Sequence, residues 1–417
     1  MKKILILLLT LLLTGAVSCS KAKDKKVVIE YSRWGTPEEV KSTRKLLKLF
    51  SQKHPDIKVQ FTYEPWSGYW NKLQAQMAAG AGPDVFLMGA IYIADFYEKG
   101  MLKNLQPFFD KDKIDLSAYY QSPFEIFTFN KQLYGFPRDL NAIVLFYNKD
   151  LFDKAGVSYP DNSWTWNDYR KAAQKLTRDK DNDGNMDIWG TSTAMIFETY
   201  WGNLLLQAGG SVLNEDKTEC LINSSHAQKA IQFMYDLEHK YNVAPNAATK
   251  ASMDVNIFTT GNVAMIFDGS WMFRAYSDAP FNWDISVLPR NKRRACIANG
   301  VGHVMKAGTS HEKAAWKLIK FLSDKKAQIA VAHSGTSIPV MKSVANSSAF
   351  LTGKPDNKKA ALNSLEFGYN YPVTPKMNHW LSTIIKKEIE KILLKQTPVD
   401  EGLYQAKKRA DAILNSN

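Results

Sequence analysis

The sequence predicts an α/β protein of two lobes, and three observations carry that expectation. Short β-branched and apolar runs alternate with amphipathic, helix-length stretches from Val27 onward, the pattern of sheets covered by helices. The chain has 417 residues, which at roughly 150 residues per domain is room for two or three folded units. Hydrophobic residues make up 45% and charged residues 23%, ordinary globular usage that excludes a mainly disordered chain or a polytopic membrane protein.

The elements follow in order. Val27-Val28-Ile29-Glu30-Tyr31 reads as a strand. Thr36-Pro37-Glu38-Glu39 is a helix start, with Thr36 to cap, Pro37 at the first helical position and Glu39 completing a capping box. Val40, Leu47 and Phe50 supply its apolar stripe, which ends near His54-Pro55. Ile57, Val59, Phe61 and Tyr63 alternate with polar residues, so a second strand follows. Residues 69–79 predict a helix. Val85-Phe86-Leu87-Met88 predicts a short buried strand after the turn Gly80-Ala81-Gly82-Pro83-Asp84. The alternation continues through 134–147 and 264–267 and into a helix over 311–322. It implies a largely parallel sheet, with no tandem repeat.

The amino terminus reads as an export signal. Lys2 and Lys3 precede an apolar run over 4–13, too short to span a bilayer comfortably. Ala16-Val17-Ser18-Cys19 resembles a relaxed bacterial lipobox, in which Cys19 becomes the lipidated first residue after residues 1–18 are removed. The alternative is an ordinary signal peptide with an incidental cysteine. Residues 19–26 are polar and basic, as a tether beside acidic headgroups would be. With three Cys in the whole chain, neither a disulfide scaffold nor a Cys-rich zinc protein is available. Cys220 and Cys296 read as free, small apolar residues, the alternative being a pair formed in an oxidising compartment.

Several ordered motifs resemble the extracellular solute-binding proteins of bacterial ABC importers, specifically the family that binds sugars and oligosaccharides, maltodextrin-binding proteins included. They are Tyr31-Ser32-Arg33-Trp34-Gly35, Gly82-Pro83-Asp84-Val85, Tyr134-Gly135-Phe136-Pro137, Leu145-Phe146-Tyr147-Asn148-Lys149-Asp150-Leu151-Phe152, Trp164-Thr165-Trp166, and Phe258-Thr259-Thr260-Gly261-Asn262-Val263-Ala264-Met265 before Gly269-Ser270-Trp271. Each is short; their order and spacing carry the resemblance. It implies a two-lobe, type II-like periplasmic-binding-protein fold with hinge crossovers and a cleft between the lobes. Crossings then fall near 137–141, 286–289 and 338–342. Lobe one takes 27–138 and 288–338, and lobe two takes 139–287 and 339–417.

A sugar site needs flat apolar faces for pyranose C–H surfaces and planar polar groups for hydroxyls. Trp34 sits just past the first strand, where open α/β sheets place ligands. Its alternative is a Trp packed in the core. Glu64 and Trp66 close the second strand, while Trp70 is expected to pack the following helix. The resemblance adds Arg138, Asp139 and Asn141 in the first crossing. It also adds Glu198, Tyr200 and Trp201 in the second lobe, Asp268 with Trp271 as the recurrent stacking aromatic, and Trp380. Asp84 is expected to stabilise its turn rather than touch ligand. Asp179, Asp181, Asp183 and Asp187, with Gly184 at the sixth position, look like a calcium loop. Gly190 stands where the bidentate Glu would be, and the alternative is a metal-free acidic turn. No cofactor is otherwise expected.

The function implied is an exported receptor, anchored by lipid at the outer face of the cytoplasmic membrane or in the periplasm. It would be a monomer handing a sugar or oligosaccharide to permease subunits powered by a cytoplasmic ATPase. No Walker A loop, H-E-x-x-H or G-x-S-x-G occurs, so no enzyme is expected. A secreted carbohydrate hydrolase, or a receptor for a non-sugar solute, is the alternative. The formal charge of +13 is spread along the chain rather than gathered in a reading element. Nucleic acid is therefore not an expected partner.

Overall fold

The computed structural model describes residues 26–251 and 257–416. One lobe grows outward from the strand Val27–Trp34, which pairs in parallel with Ile57–Glu64 on one side and with Val85–Gly89 on the other. The connecting helix Pro37–Lys53 starts on the expected capping box. Thr36 N donates to Glu39 Oε2 at 3.0 Å, and Glu39 N donates to Thr36 Oγ1 at 3.3 Å. Its stripe of Val40, Thr43, Leu47 and Phe50 faces the sheet side and is buried. Helix Trp66–Ala78 buries Tyr69, Trp70, Leu73 and Met77, spaced so that they share one face.

The sheet is mixed rather than largely parallel. Strand Gly135–Asn148, buried along its whole length, pairs antiparallel with Cys296–Met305, Met265–Gly269, Trp283–Ser286 and Ile338–Pro339. The reason is topological. This strand leaves one lobe and enters the other, and the chain returns alongside it in the opposite sense. Its first half joins the first sheet through Cys296–Met305, which in turn pairs with Val85–Gly89. Its second half carries Met265–Gly269 and Trp283–Ser286, the inner strands of the second lobe. The fold is two-lobed, with shared strands forming the hinge.

The long strand crosses beside its returning partner at 139–142. Asp139, Leu140, Asn141 and Ala142 pair with Val301, Gly300, Asn299 and Ala298. The second crossing therefore lies at 298–301 rather than 286–289. Residues 288–295 stay with the second lobe, because Arg290 N donates to Trp164 O at 2.9 Å and Arg293 N to Gln207 O at 3.1 Å. The third crossing is Ile338–Pro339, paired with Leu140 and Asp139. Beyond it the chain first follows lobe one: Tyr120 N donates to Val340 O at 3.0 Å and Lys342 Nζ to Ser117 O at 3.1 Å. It meets lobe two at Asn357, whose N donates to Asp284 Oδ1 at 2.9 Å.

Cys220 and Cys296 are free and buried, and burial pushes both thiols up to about 12. Among the described residues no helix is long and apolar enough to cross a membrane. Cys19 and the expected export signal lie outside the described residues.

Candidate functional site

Two glycines locate the cleft. Gly89 ends the inner strand of lobe one and pairs with Val301, which pairs with Asp139. Gly269 ends the inner strand of lobe two and pairs with Ile143. Asp139 and Ile143 lie four residues apart on one strand, about 13 Å at the usual rise. The carboxyl ends of both inner strands thus open on the same crossover from opposite sides, the place where open α/β sheets take ligands.

Lobe one lines its side with indoles. A Cβ added at Gly89 would lie in ordinary contact with all three indoles, 3.7 Å from ring atoms of Trp34 and Trp70 and 3.9 Å from Trp66, so the three rings gather around this strand end. Trp34 meets Trp66 edge-on at 5.0 Å, and Tyr92 stacks on Trp70 at 4.0 Å. Trp70 is buried beneath, while Trp66 is 50% exposed and Trp34 partly so. The arrangement presents aromatic faces above a packed aromatic base. Lobe two answers with Trp271, whose indole lies directly on Gly269. A Cβ there would fall 2.3 Å from three ring atoms.

The floor between them is polar. Asn141 and Asn299 are directly opposite across the antiparallel crossover, so their side chains leave the same face. Asn141 Oδ1 accepts from Ser270 Oγ at 3.0 Å, and Asn299 Nδ2 donates to Glu198 Oε1. Glu198 Oε2 accepts from Tyr371 OH at 2.9 Å. Asp268 Oδ2 accepts from Tyr276 OH at 2.7 Å, and its Oδ1 accepts from Gly269 N at 2.8 Å. Burial raises both carboxyls, Asp268 to about 6, because desolvation penalises the charged form more than these bonds favour it.

The expected residues divide into groups. Trp34, Trp66, Asn141, Glu198, Asp268 and Trp271 flank the crossover. Glu64 instead pairs with Lys72 at 2.5 Å. Arg138 and Asp139 form a buried ion pair with each other, and Arg138 lies 3.6 Å from Glu39. They face the packing of the first helix, not the indoles. Three aromatic assignments are corrected. Tyr200 packs on Phe267 at 5.2 Å and Trp201 on Phe197 at 4.7 Å, each 1% exposed. Trp380 is fully buried and donates Nε1–H to Thr374 Oγ1 at 3.1 Å. Each of the three is buried within its lobe and presents no exposed aromatic face.

Asp84 takes the structural role: its carboxylate accepts from Glu30 N at 2.8 Å and from Thr309 Oγ1. In the acidic loop Asp179, Asp181 and Asp187 offer oxygens within 4.8 Å of one another. Asp183 turns away to accept from Asn185 N at 2.7 Å. Gly190 has no side chain to offer, and a Cβ there would fall 2.0 Å from Ala173 O, so no larger residue fits at this position. Sequence reasoning missed Tyr92, Asn299 and Tyr371. Tyr92 follows the end of a strand, which was a usable signal; Asn299 and Tyr371 reach the site only through pairings distant in the chain.

A chain folded in this way, with facing aromatic and amide groups on two lobes joined by crossing strands, is a solute-binding protein. It belongs to the bacterial extracellular solute-binding protein family, whose pattern matches residues 34–329. The galactooligosaccharide-binding protein of Bacillus subtilis is 26% identical over 384 residues, covering 89% of this chain and 86% of its own length. An ABC substrate-binding protein of Listeria monocytogenes, solved in complex with cycloalternan, superposes with a TM-score of 0.86 at 30% identity, covering 94% of this chain and all of that one. Maltose-bound MalE3 of T. maritima superposes at 0.78 with 25% identity, over 93% of this chain and all of its own.

Proposed function

We propose that this protein is the extracytoplasmic receptor of an ABC importer and captures a neutral oligosaccharide between its lobes. The observation that carries the reading is the pair of aromatic platforms on opposite sides of one crossover, Trp34 with Trp66 and Trp271, above the Asn141–Asn299 floor. Aromatic faces suit pyranose C–H surfaces, and amides and carboxylates suit hydroxyls. Relatives named for galactooligosaccharide and solved with cycloalternan support an oligosaccharide over a single sugar. The mechanism is a population shift. Ligand contacts made to both lobes at once favour the closed arrangement by their differential affinity for it.

The platforms bind and orient; nothing in this reading breaks a glycosidic bond, and transport energy belongs to a partner ATPase. Delivery to permease subunits follows from the family, and attachment through lipidated Cys19 follows from the lipobox-like sequence. A thermal-shift screen across galacto-, gluco- and arabino-oligosaccharides tests the ligand class, since a ligand at about 100 times its Kd adds roughly 2.7 kcal/mol to stability. A raised melting temperature with one neutral oligosaccharide, unchanged glycan and one-to-one stoichiometry is expected. Glycan hydrolysis, or a shift only with charged non-sugar solutes, would overturn the reading.

A further inference from the structure

The strand bearing Trp34 is wired to the hinge. Arg33 is 3% exposed, and each nitrogen of its guanidinium makes a bond: Nε donates to Trp34 O at 2.8 Å, Nη1 to Thr43 Oγ1 at 2.8 Å and Nη2 to Glu39 Oε1 at 2.7 Å. The same Glu39 oxygen lies 3.6 Å from Arg138 Nη2 and accepts from Thr336 Oγ1 at 3.4 Å. Arg138 in turn pairs with Asp139, which is fully buried beside Pro339 of the third crossing. One carboxylate therefore joins the strand end under the ligand platform to the first crossing and to the turn that leads into the third.

Arg138 also marks the bend. The pairing of the long strand with Cys296–Met305 slips between Pro137 and Asp139, leaving Arg138 as the extra residue. Such a bulge bends its strand and re-aims its side chain. Its backbone is pinned as well. Gln328, 0% exposed, donates Nε2–H to Arg138 O at 2.7 Å and accepts from Met341 N at 3.2 Å, clasping the first and third crossings together. A change of hinge angle at this bulge must move Arg138, and an ion pair shielded from water resists being stretched.

We propose that Arg33, Glu39 and Arg138 are positioning residues that couple the hinge to the Trp34 platform, so that lobe closure and ligand stacking on Trp34 are one event. The inference rests on the sugar-receptor reading, but concerns residues that touch no ligand. Removing the Arg138 link would leave Trp34 in place on average, but no longer set by the hinge.

The test is a double-mutant cycle read by calorimetric affinity for the oligosaccharide found in the screen, using wild type, Arg138→Met, Trp34→Ala and the double variant. Arg138→Met is expected to weaken binding about tenfold in the wild-type background. It should do so by less than about twofold once Trp34 is already Ala, the non-additivity of residues acting through each other. Glu39→Gln, which cuts the next link while keeping its shape, is expected to behave likewise and serves if Arg138→Met does not fold. An equal factor in both backgrounds, or no effect in either, overturns the coupling. Failure of the wild type to bind any sugar is a different result, which refutes the receptor reading itself.

Discussion

Gly269→Ala isolates the lobe-two platform. At φ −84° and ψ 153° the backbone of Gly269 suits any L-residue, so the substitution brings no backbone strain. It brings a methyl group to 2.3 Å from three atoms of the Trp271 indole, far inside contact distance, and the ring must leave. The backbone and every hydrogen-bonding group of the site remain. If the indole is a stacking surface, its displacement removes the share of a large aromatic contact, about 1–3 kcal/mol. That is roughly 5- to 150-fold in Kd. Titration calorimetry against the cognate oligosaccharide reads this directly, with circular dichroism to confirm the fold. Trp271→Ala should lose a similar factor, and adding Gly269→Ala to it should change little, because the second change then has no ring to displace. Unchanged affinity in Gly269→Ala, or additive losses in the double variant, would refute the assignment of Trp271 as a platform.

Other outcomes follow from the same geometry. Asp268 sits near 6 when folded, raised by burial above its ordinary 3.8, so the folded state holds its proton longer than the unfolded state. Stability should fall as pH rises from about 4 to about 6, by up to roughly 3 kcal/mol from this group. Asp268→Asn should flatten that slope in urea unfolding; an unaltered slope would contradict it. Trp380→Ala should cost about 3–5 kcal/mol of stability, the scale for emptying a fully buried indole site. Near-native stability combined with a large loss of sugar affinity would instead return Trp380 to the ligand. Cys19→Ser should abolish metabolic fatty-acid labelling, and persistence of the label would remove the lipid anchor.

The layered fold was legible because its local signals agree with its packing. The Thr36–Glu39 capping box and the buried stripe of Pro37–Lys53 can be read within one turn of sequence and recur in three dimensions. What could not be read is whatever depends on partners distant in the chain. The antiparallel neighbours of Gly135–Asn148 come from as far away as Ile338, and no local period encodes direction. The second crossing was displaced for the same reason: residues 288–295 are tied to Trp164 and Gln207, more than eighty residues earlier. Aromatic residue type alone does not separate Trp271, partly exposed on a glycine, from Trp380 in the core. The glycine two positions before Trp271 was the distinguishing mark.

The central claim is that one sugar ligand is held by both lobes. Calorimetric titration of the cognate oligosaccharide into Trp34→Ala and into Trp271→Ala tests it most directly, since these residues stand on opposite sides of the crossover. Each variant is expected to bind at one-to-one stoichiometry with affinity lowered by about 1–3 kcal/mol. An affinity untouched by one or both substitutions would contradict capture between the lobes.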